Sequence, residues 1–114
     1  MKNLFCIYIK SGMKERIVSF RRSRRQGKKY EAVVEHKNTK KRRRIHFGAT
    51  GYQQYKDSTP LKLYARGNHG TIKRRNNYFN RHSGVKSKTK AVALEKRKSR
   101  GLYNPKILSH IYLW

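Results

Sequence analysis

The sequence predicts a small α+β protein that has a β-hairpin core, one or two short helices and extended basic arms. Three observations support this fold class. The chain has 114 residues, enough for one small domain. Only 35% of the residues are hydrophobic, so the core must be small. Segments with strand-like alternation precede segments with helical spacing, and basic runs without apolar residues separate them.

Residues 1–27 are predicted to contain an N-terminal hairpin and a basic arm. The segments 4–9 and 16–20 are rich in aromatic and β-branched residues, and Ser11-Gly12 between them favours a turn. The run 21–29 carries six positive charges and no apolar residue. It indicates a linker or an arm that binds polyanions.

Residues 28–82 are predicted to form a hairpin, loop and helix core. The segments 30–35 and 42–47 are typical of paired strands, because Ile45 and Phe47 fall on one face and basic residues fall on the other. This second hairpin is the clearest local element of the sequence.

A loop and a helix are predicted to complete this core. Glycines and Pro60 indicate a loop over residues 48–60, and a short helical turn is expected over 61–66. A helix is predicted over 71–82, followed by Gly84, because four residues fall on a 3.6-residue period beside Tyr78; they are Ile72, Arg75, Phe79 and His82.

Residues 83–114 are predicted to form a basic linker and a C-terminal amphipathic helix. The linker is weakly structured, although residues 91–98 could form a helix. Asn104 is a typical N-cap, and Pro105 fits the first helical position. The apolar residues of this helix would share one face; they are Ile107, Leu108, Ile111 and Trp114.

The charge of the chain is strongly unbalanced. It contains 31 Lys and Arg residues against 5 Asp and Glu residues, a formal net charge of +26. Like charges repel within a folded domain, so this excess opposes folding unless anions neutralise it. We therefore expect one piece of a larger assembly, not a stable free monomer. Its partner would be nucleic acid, an anionic membrane or an acidic protein surface.

Cations and aromatic residues are the candidate partner-binding residues. In a nucleic-acid-binding protein, cations contact phosphates while aromatic rings stack on bases. Tyr112 and Trp114 would also suit a neighbour's groove, and packing on the chain's own hairpin is an equal alternative for both. The predicted partner-binding residues are Arg21, Arg22, Arg24, Arg25, Arg42, Arg43, Arg44, Tyr52, Tyr55, Arg75, Tyr78, Arg81, Tyr112 and Trp114.

The sequence predicts no catalytic, cofactor-binding or metal-binding residue. The five acids form no recognisable pair, the histidines lack metal-ligand spacing, and Cys6 lies in an apolar run. We therefore expect no enzyme and no cofactor. Asp57 is expected to form an ion pair with an arginine of the 71–82 helix or to cap its own loop. His46 and His82 are expected to be hydrogen-bonding structural residues.

Three motifs occur in the same order as in a known family. They are the Phe-Gly-x-x-Gly-Tyr-x-x-Tyr block at 47–55, the Arg-x-x-Tyr-x-x-Arg-His helix at 75–82 and the Leu-Ser-x-x-x-Leu-Trp end at 108–114. With these motifs the chain resembles the small basic virion proteins, minor capsid proteins of large nucleocytoplasmic DNA viruses. The resemblance covers residues 28–114 with gaps.

The resemblance implies a structural minor capsid protein in the virion, assembled in the host cytoplasm. Such a protein would bridge neighbouring components on the inner side of the shell. Its partners would be the major capsid protein and other minor capsid proteins. Two alternatives remain open: a nucleic-acid-binding protein that is packaged with the viral genome or condenses it, and attachment to an anionic inner membrane through residues 21–25.

Overall fold

Three strands precede three helices in residues 13–114, the part of the chain that the computed structural model describes. A short 3-10 turn (Ala65–Gly67) lies between the sheet and the helices. This architecture confirms the predicted α+β class. The elements in chain order are β1 (Glu15–Arg22), β2 (Lys28–His36), β3 (Arg42–Ala49), α1 (Ile72–Ser83), α2 (Lys88–Lys98) and α3 (Pro105–Tyr112).

The strands form one antiparallel sheet in the order β1-β2-β3. Ala32 at its centre lies opposite Phe20 on one side and Ile45 on the other. Because side chains alternate along a strand, these three residues share one face, and Tyr30 and Phe47 extend it. The second hairpin is therefore confirmed. The strand at 16–20 is also confirmed, whereas its predicted partner at 4–9 lies outside the described residues.

The basic run at 21–29 is not a linker or an arm, which corrects the prediction. Arg21 and Arg22 are the last residues of β1, and a tight turn leads directly into β2. The Ser23 amide donates a hydrogen bond to the Lys29 carbonyl oxygen at 3.1 Å, and Gly27 has a φ of 85°. Strand pairing depends on the backbone, so polar side chains do not end a strand that has a neighbour to pair with.

Two of the three helices, α1 and α3, lie close to their predicted positions. The helix α1 begins at Ile72 and ends at Ser83, and Gly84 after it has left-handed backbone geometry. The prediction of a weakly structured basic linker over residues 83–101 is wrong, because the helix α2 occupies Lys88–Lys98 and extends the possible helix at 91–98 by three residues. At its start the Ser87 side chain accepts a hydrogen bond from the Lys90 amide. At the start of α3, Asn104 accepts a hydrogen bond from the Ile107 amide at 2.8 Å, as its capping role predicts.

Two apolar clusters hold these elements together. In the first, Leu108 and Leu113 pack on the apolar face of the sheet. In the second, Tyr78 and Phe79 of α1 pack against Ala91 of α2. Trp114 contacts both clusters and so joins the sheet to the helices. None of the described helices has the length and apolar character needed to cross a membrane.

Candidate polyanion-binding sites

A buried carboxylate lies at the centre of the sheet face opposite the helices. Glu31 of β2 is fully buried, and three guanidinium groups surround it. The distances from its Oε2 atom are 3.8 Å to Arg21 Nε, 3.4 Å to Arg24 Nη2 and 3.5 Å to Arg44 Nε. His46 lies on the same side and contacts the Ser23 hydroxyl through Nδ1 at 2.7 Å. The prediction that His46 is a hydrogen-bonding structural residue is confirmed.

A second carboxylate extends this arrangement along the strand. Glu35 accepts hydrogen bonds from Arg42 Nε and Arg16 Nη2, both at 2.8 Å. These bonds favour the ionised carboxylate, so the pKa of Glu35 lies below its ordinary value.

The two carboxylates hold a cluster of arginines that remains open to solvent. We call this cluster the arginine face. Its side chains are 53–62% exposed, so their remaining N–H groups stay available to external anions. The face has five guanidinium groups and two carboxylates, which leaves it positive. Its members are Arg16, Arg21, Arg24, Arg42 and Arg44.

The Arg43 side chain points to the opposite face of the sheet, where it stabilises the fold. Its guanidinium binds Glu15 at 2.8 and 2.9 Å and donates a hydrogen bond to the Tyr103 carbonyl oxygen. Glu15 in turn accepts a hydrogen bond from the Tyr103 amide at 2.8 Å. Burial alone would raise the pKa of Glu15. The hydrogen bonds from Arg43 and Tyr103 outweigh this effect, so the pKa of Glu15 lies below its ordinary value. Arg43 therefore ties the chain before α3 to the sheet.

Asp57 organises the loop that follows the sheet. It accepts hydrogen bonds from the Tyr30 hydroxyl, from the amide and hydroxyl of Thr59 and from the Tyr64 amide. Burial opposes ionisation, yet these donors outweigh it and lower the pKa of Asp57. The predicted loop cap is confirmed. The alternative, an ion pair with an arginine of the helix, is wrong because the carboxylate is saturated by neutral donors of its own loop and of β2.

A cleft of about 560 Å³ opens where the end of the sheet meets α1 and α3. Tyr78 and Trp114 line it, and their rings stack in parallel at 4.2 Å with an interplanar angle of 4°. The residues that line the cleft include five Lys and Arg side chains and no Asp or Glu side chain. Those cations are Lys28, Lys29, Arg74, Arg81 and Lys106. The cleft thus combines aromatic rings with positive charge.

A chain of hydrogen bonds fixes the aromatic pair from behind. The Tyr78 hydroxyl contacts His110 Nδ1 at 2.9 Å, and His110 Nε2 contacts the Ser83 hydroxyl at 2.7 Å. The Ser83 hydroxyl donates its proton to Glu95 at 2.8 Å, so His110 must donate from Nε2 and accept at Nδ1. Burial lowers the pKa of His110 to about 4, although Glu95 opposes this shift.

This series of hydrogen bonds contains the residue types of a catalytic triad, but the protons are not donated in the order that a triad requires. A nucleophilic serine must give its proton to the histidine, whereas Ser83 gives its proton to Glu95. His110 is fully buried and its neutral form is favoured, so it acts as a connector between two hydroxyl groups. The network therefore positions the ring of Tyr78.

The structure brings eight of the fourteen predicted partner-binding residues into two sites. The cleft includes Tyr52, Tyr78, Arg81 and Trp114, and the arginine face includes Arg21, Arg24, Arg42 and Arg44.

The other six lie elsewhere. Arg25 is exposed in the turn after β1. Arg22 lies over the Tyr64 ring at 5.7 Å, and Arg75 lies over the Tyr55 ring at 4.6 Å.

Tyr112 and Arg43 serve the fold. Tyr112 packs edge-on against Phe20 with ring centroids 4.8 Å apart, so its packing on the chain's own sheet is the alternative that the structure favours. His82 was expected to form hydrogen bonds; its ring instead stacks obliquely on Tyr78 at 4.5 Å. In the described range 13–114, no group of three or more His, Cys, Asp or Glu residues could hold a metal ion.

Sequence reasoning missed several residues of both sites. Arg16 and Lys28 lay in segments interpreted as a strand and a linker. Simple alternation would place Arg16 and Arg21 on opposite faces of β1, and the register shift between Ile17 and Ser19 brings both to the arginine face. No local sequence pattern identifies Arg74 and Lys106 as site residues, because they line the cleft only where α1 and α3 come together.

A match to a protein-family model covers part of the sheet and the loop that follows it. A model of a family of unknown function (DUF5754) matches residues 18–66. The matched range runs from the middle of β1 to the 3-10 turn and contains most of the arginine face and the Asp57 loop. It does not include the helices of the cleft. No curated protein and no solved structure matches this chain.

Proposed function

We propose that this protein is a non-enzymatic minor capsid protein that joins acidic surfaces of neighbouring components on the inner side of a large DNA virus shell. One observation supports the proposal most directly: the chain's own carboxylates are already engaged. Four of the five hold cations, and Asp57 is saturated by neutral donors. The surplus positive charge therefore stays at the surface, where a partner's anions would neutralise it.

The positions of the two positive sites suit a bridging role. The arginine face lies on one side of the sheet, and the cleft opens on the side of α1 and α3. A single copy could therefore contact two neighbours at once. Linked weak contacts gain avidity without a deep pocket for each one. The viral setting comes from the resemblance at residues 47–55, 75–82 and 108–114.

The proposal is tested by removing the protein from shells and adding it back. Capsid shells are treated with nuclease, stripped at about 1 M NaCl, where surface charges are screened, and mixed with purified protein at low salt. We expect stoichiometric rebinding that decreases steeply as salt increases. Recovery of the protein only with the released genome would contradict the proposal.

A matched pair of variants distinguishes specific binding by the arginine face from a general effect of net charge. The variant Arg21→Gln/Arg44→Gln removes two charges from the face and leaves Arg24 to bind Glu31. The control Lys90→Gln/Arg97→Gln removes two charges from exposed positions of α2. We expect the first variant to rebind shells at least fivefold more weakly than the control. Equal rebinding would mean that the face has no specific part in the contact.

A second candidate function, a nucleic-acid-binding protein packaged with the genome, is favoured by the composition of the cleft. Stacked rings beside cations are typical of sites for unpaired bases. Nuclease treatment separates the two functions, since a shell component stays with the shell after the genome is digested. The solubility of the isolated protein is expected to increase with salt concentration, which light scattering across a salt series would measure.

A further inference from the structure

We infer that the cleft binds an unpaired base together with its phosphate, as part of a single-stranded nucleic acid. This inference rests on the second candidate function and deepens it by naming the ligand and its binding site. The capsid proposal is independent of it, because contact with an acidic protein surface requires no base. It depends on the shape, the aromatic rings and the charge of the cleft.

The aromatic residues of the cleft are arranged to hold a planar ring. Tyr78 is buried and held by His110, and the rings of Trp114 and His82 pack against it at 4.2 and 4.5 Å. The stacked Tyr78–Trp114 pair is therefore a rigid wall, and the half-buried Trp114 is the ring of this pair that an inserted base can reach. Tyr52 also lines the cleft, and its side chain is 74% exposed. The Lys29 ammonium group binds the Tyr52 carbonyl oxygen at 2.7 Å, which anchors the backbone while the ring remains outside. An exposed ring beside a rigid aromatic wall can close over an inserted base.

The positive charge of the cleft favours a negatively charged ligand. Every charged side chain that lines it is a cation. Neither Lys28 nor Arg81 lies within 4.0 Å of a carboxylate oxygen in the described part of the chain. Arg74 donates a hydrogen bond to Gln53 Oε1 at 3.0 Å, which holds its guanidinium at the rim. These groups can bind the phosphates on either side of a base that lies against the aromatic wall.

The occupant that fits both features is a nucleotide of a single strand. The cleft volume lies within the range of about 300–1,000 Å³ that is usual for small-ligand sites. An acidic peptide or inorganic polyphosphate would satisfy the cations but would leave the aromatic wall unused. A base within a duplex is already stacked and paired, so it would have to leave the helix first.

The intrinsic fluorescence of the protein reports directly on this site, because Trp114 is the only tryptophan of the chain. The full chain is titrated with an oligodeoxythymidylate of about eight nucleotides. Parallel titrations use inorganic polyphosphate of equal charge, poly-glutamate and the corresponding duplex. We expect the oligonucleotide to quench Trp114 and to bind about tenfold more tightly than polyphosphate, since stacking adds to the phosphate contacts.

Two cleft variants and one control complete the experiment. Tyr52→Ala changes an exposed ring, so the fold is expected to persist, and Arg81→Gln removes one charge from the rim. The control Arg97→Gln removes the same charge from an exposed position of α2. We expect each cleft variant to weaken oligonucleotide binding about fivefold or more relative to the control. Polyphosphate binding is expected to be unaffected by Tyr52→Ala, because polyphosphate has no base to stack on the ring.

Three results would overturn the inference. They are equal affinity for polyphosphate and oligonucleotide, quenching of Trp114 by poly-glutamate to the same extent, and unchanged oligonucleotide binding in Tyr52→Ala. The shell-rebinding assay uses other variants and nuclease-treated shells. Failure of the capsid proposal and failure of this inference are therefore distinguishable.

Discussion

The substitution Glu31→Gln should destabilise the protein in a salt-dependent way. It keeps the shape of the side chain but removes the charge that Arg21, Arg24 and Arg44 share at 3.4–3.8 Å. The arginines are half-exposed, so each pair contributes only about 0.5–1 kcal/mol rather than the several kcal/mol of a buried pair. Because three pairs are lost together and the arginines then repel one another, we expect a loss of about 2 kcal/mol at 0.1 M salt.

Urea denaturation across a salt series measures this loss, because urea is uncharged. The screening length falls from about 10 Å at 0.1 M salt to about 3 Å at 1 M. Repulsion between the arginines should then weaken, and the loss should fall by about half. The control Thr89→Lys raises net charge by the same amount at an exposed position of α2 and should cost less than about 0.5 kcal/mol. Equal losses for both variants, or a loss independent of salt, would refute the reasoning.

Three further predictions concern the interior. Gly48→Ala should destabilise the fold by about 2–4 kcal/mol in urea denaturation, because Gly48 has a φ of 80° and an added Cβ would lie 2.9 Å from a methyl carbon of Leu113. A cost under about 1 kcal/mol would contradict that close approach. Tyr30→Phe should cost about 1–3 kcal/mol by thermal unfolding, since it removes a buried donor to Asp57; an unchanged transition would mean that the bond contributes nothing. Burial lowers the pKa of His110 to about 4. As the pH falls below about 6.5, His110 is therefore protonated in the unfolded chain while it stays neutral in the folded chain. Stability from neutral His110 should be full above pH 6.5 and lost as the pH falls to about 4, by at most about 3 kcal/mol. His110→Gln should reduce the loss of stability over that window, and an unchanged profile would exclude His110 as a source of the loss.

The second hairpin, α1 and α3 were predictable because their signals are local. Alternation at 30–35 and 42–47 identified the second hairpin, and the Asn104-Pro105 pair identified the start of α3. The run at 21–29 was interpreted wrongly because it has no apolar residue, and its conformation depends on backbone pairing with β2.

The candidate sites were only partly predictable, since they are assembled from distant segments. Tyr78 and Trp114 were selected individually as aromatic residues beside cations, but no local pattern indicates that their rings stack. Burial of Glu31 results from arginines on three segments that close over it. His110 is recognisable as a connector only when Ser83 and Glu95 are placed beside it.

The bond between Glu15 and the Tyr103 amide has a consequence for folding kinetics. It joins residues 88 positions apart, whereas the three strands pair with their immediate neighbours in sequence. Closing so long a loop costs entropy that short hairpins avoid, so the sheet is expected to form first and this contact late. Weakening it through Arg43 would therefore accelerate unfolding and leave the refolding rate almost unchanged. The lifetime of the native state, and not only its population, depends on this one carboxylate.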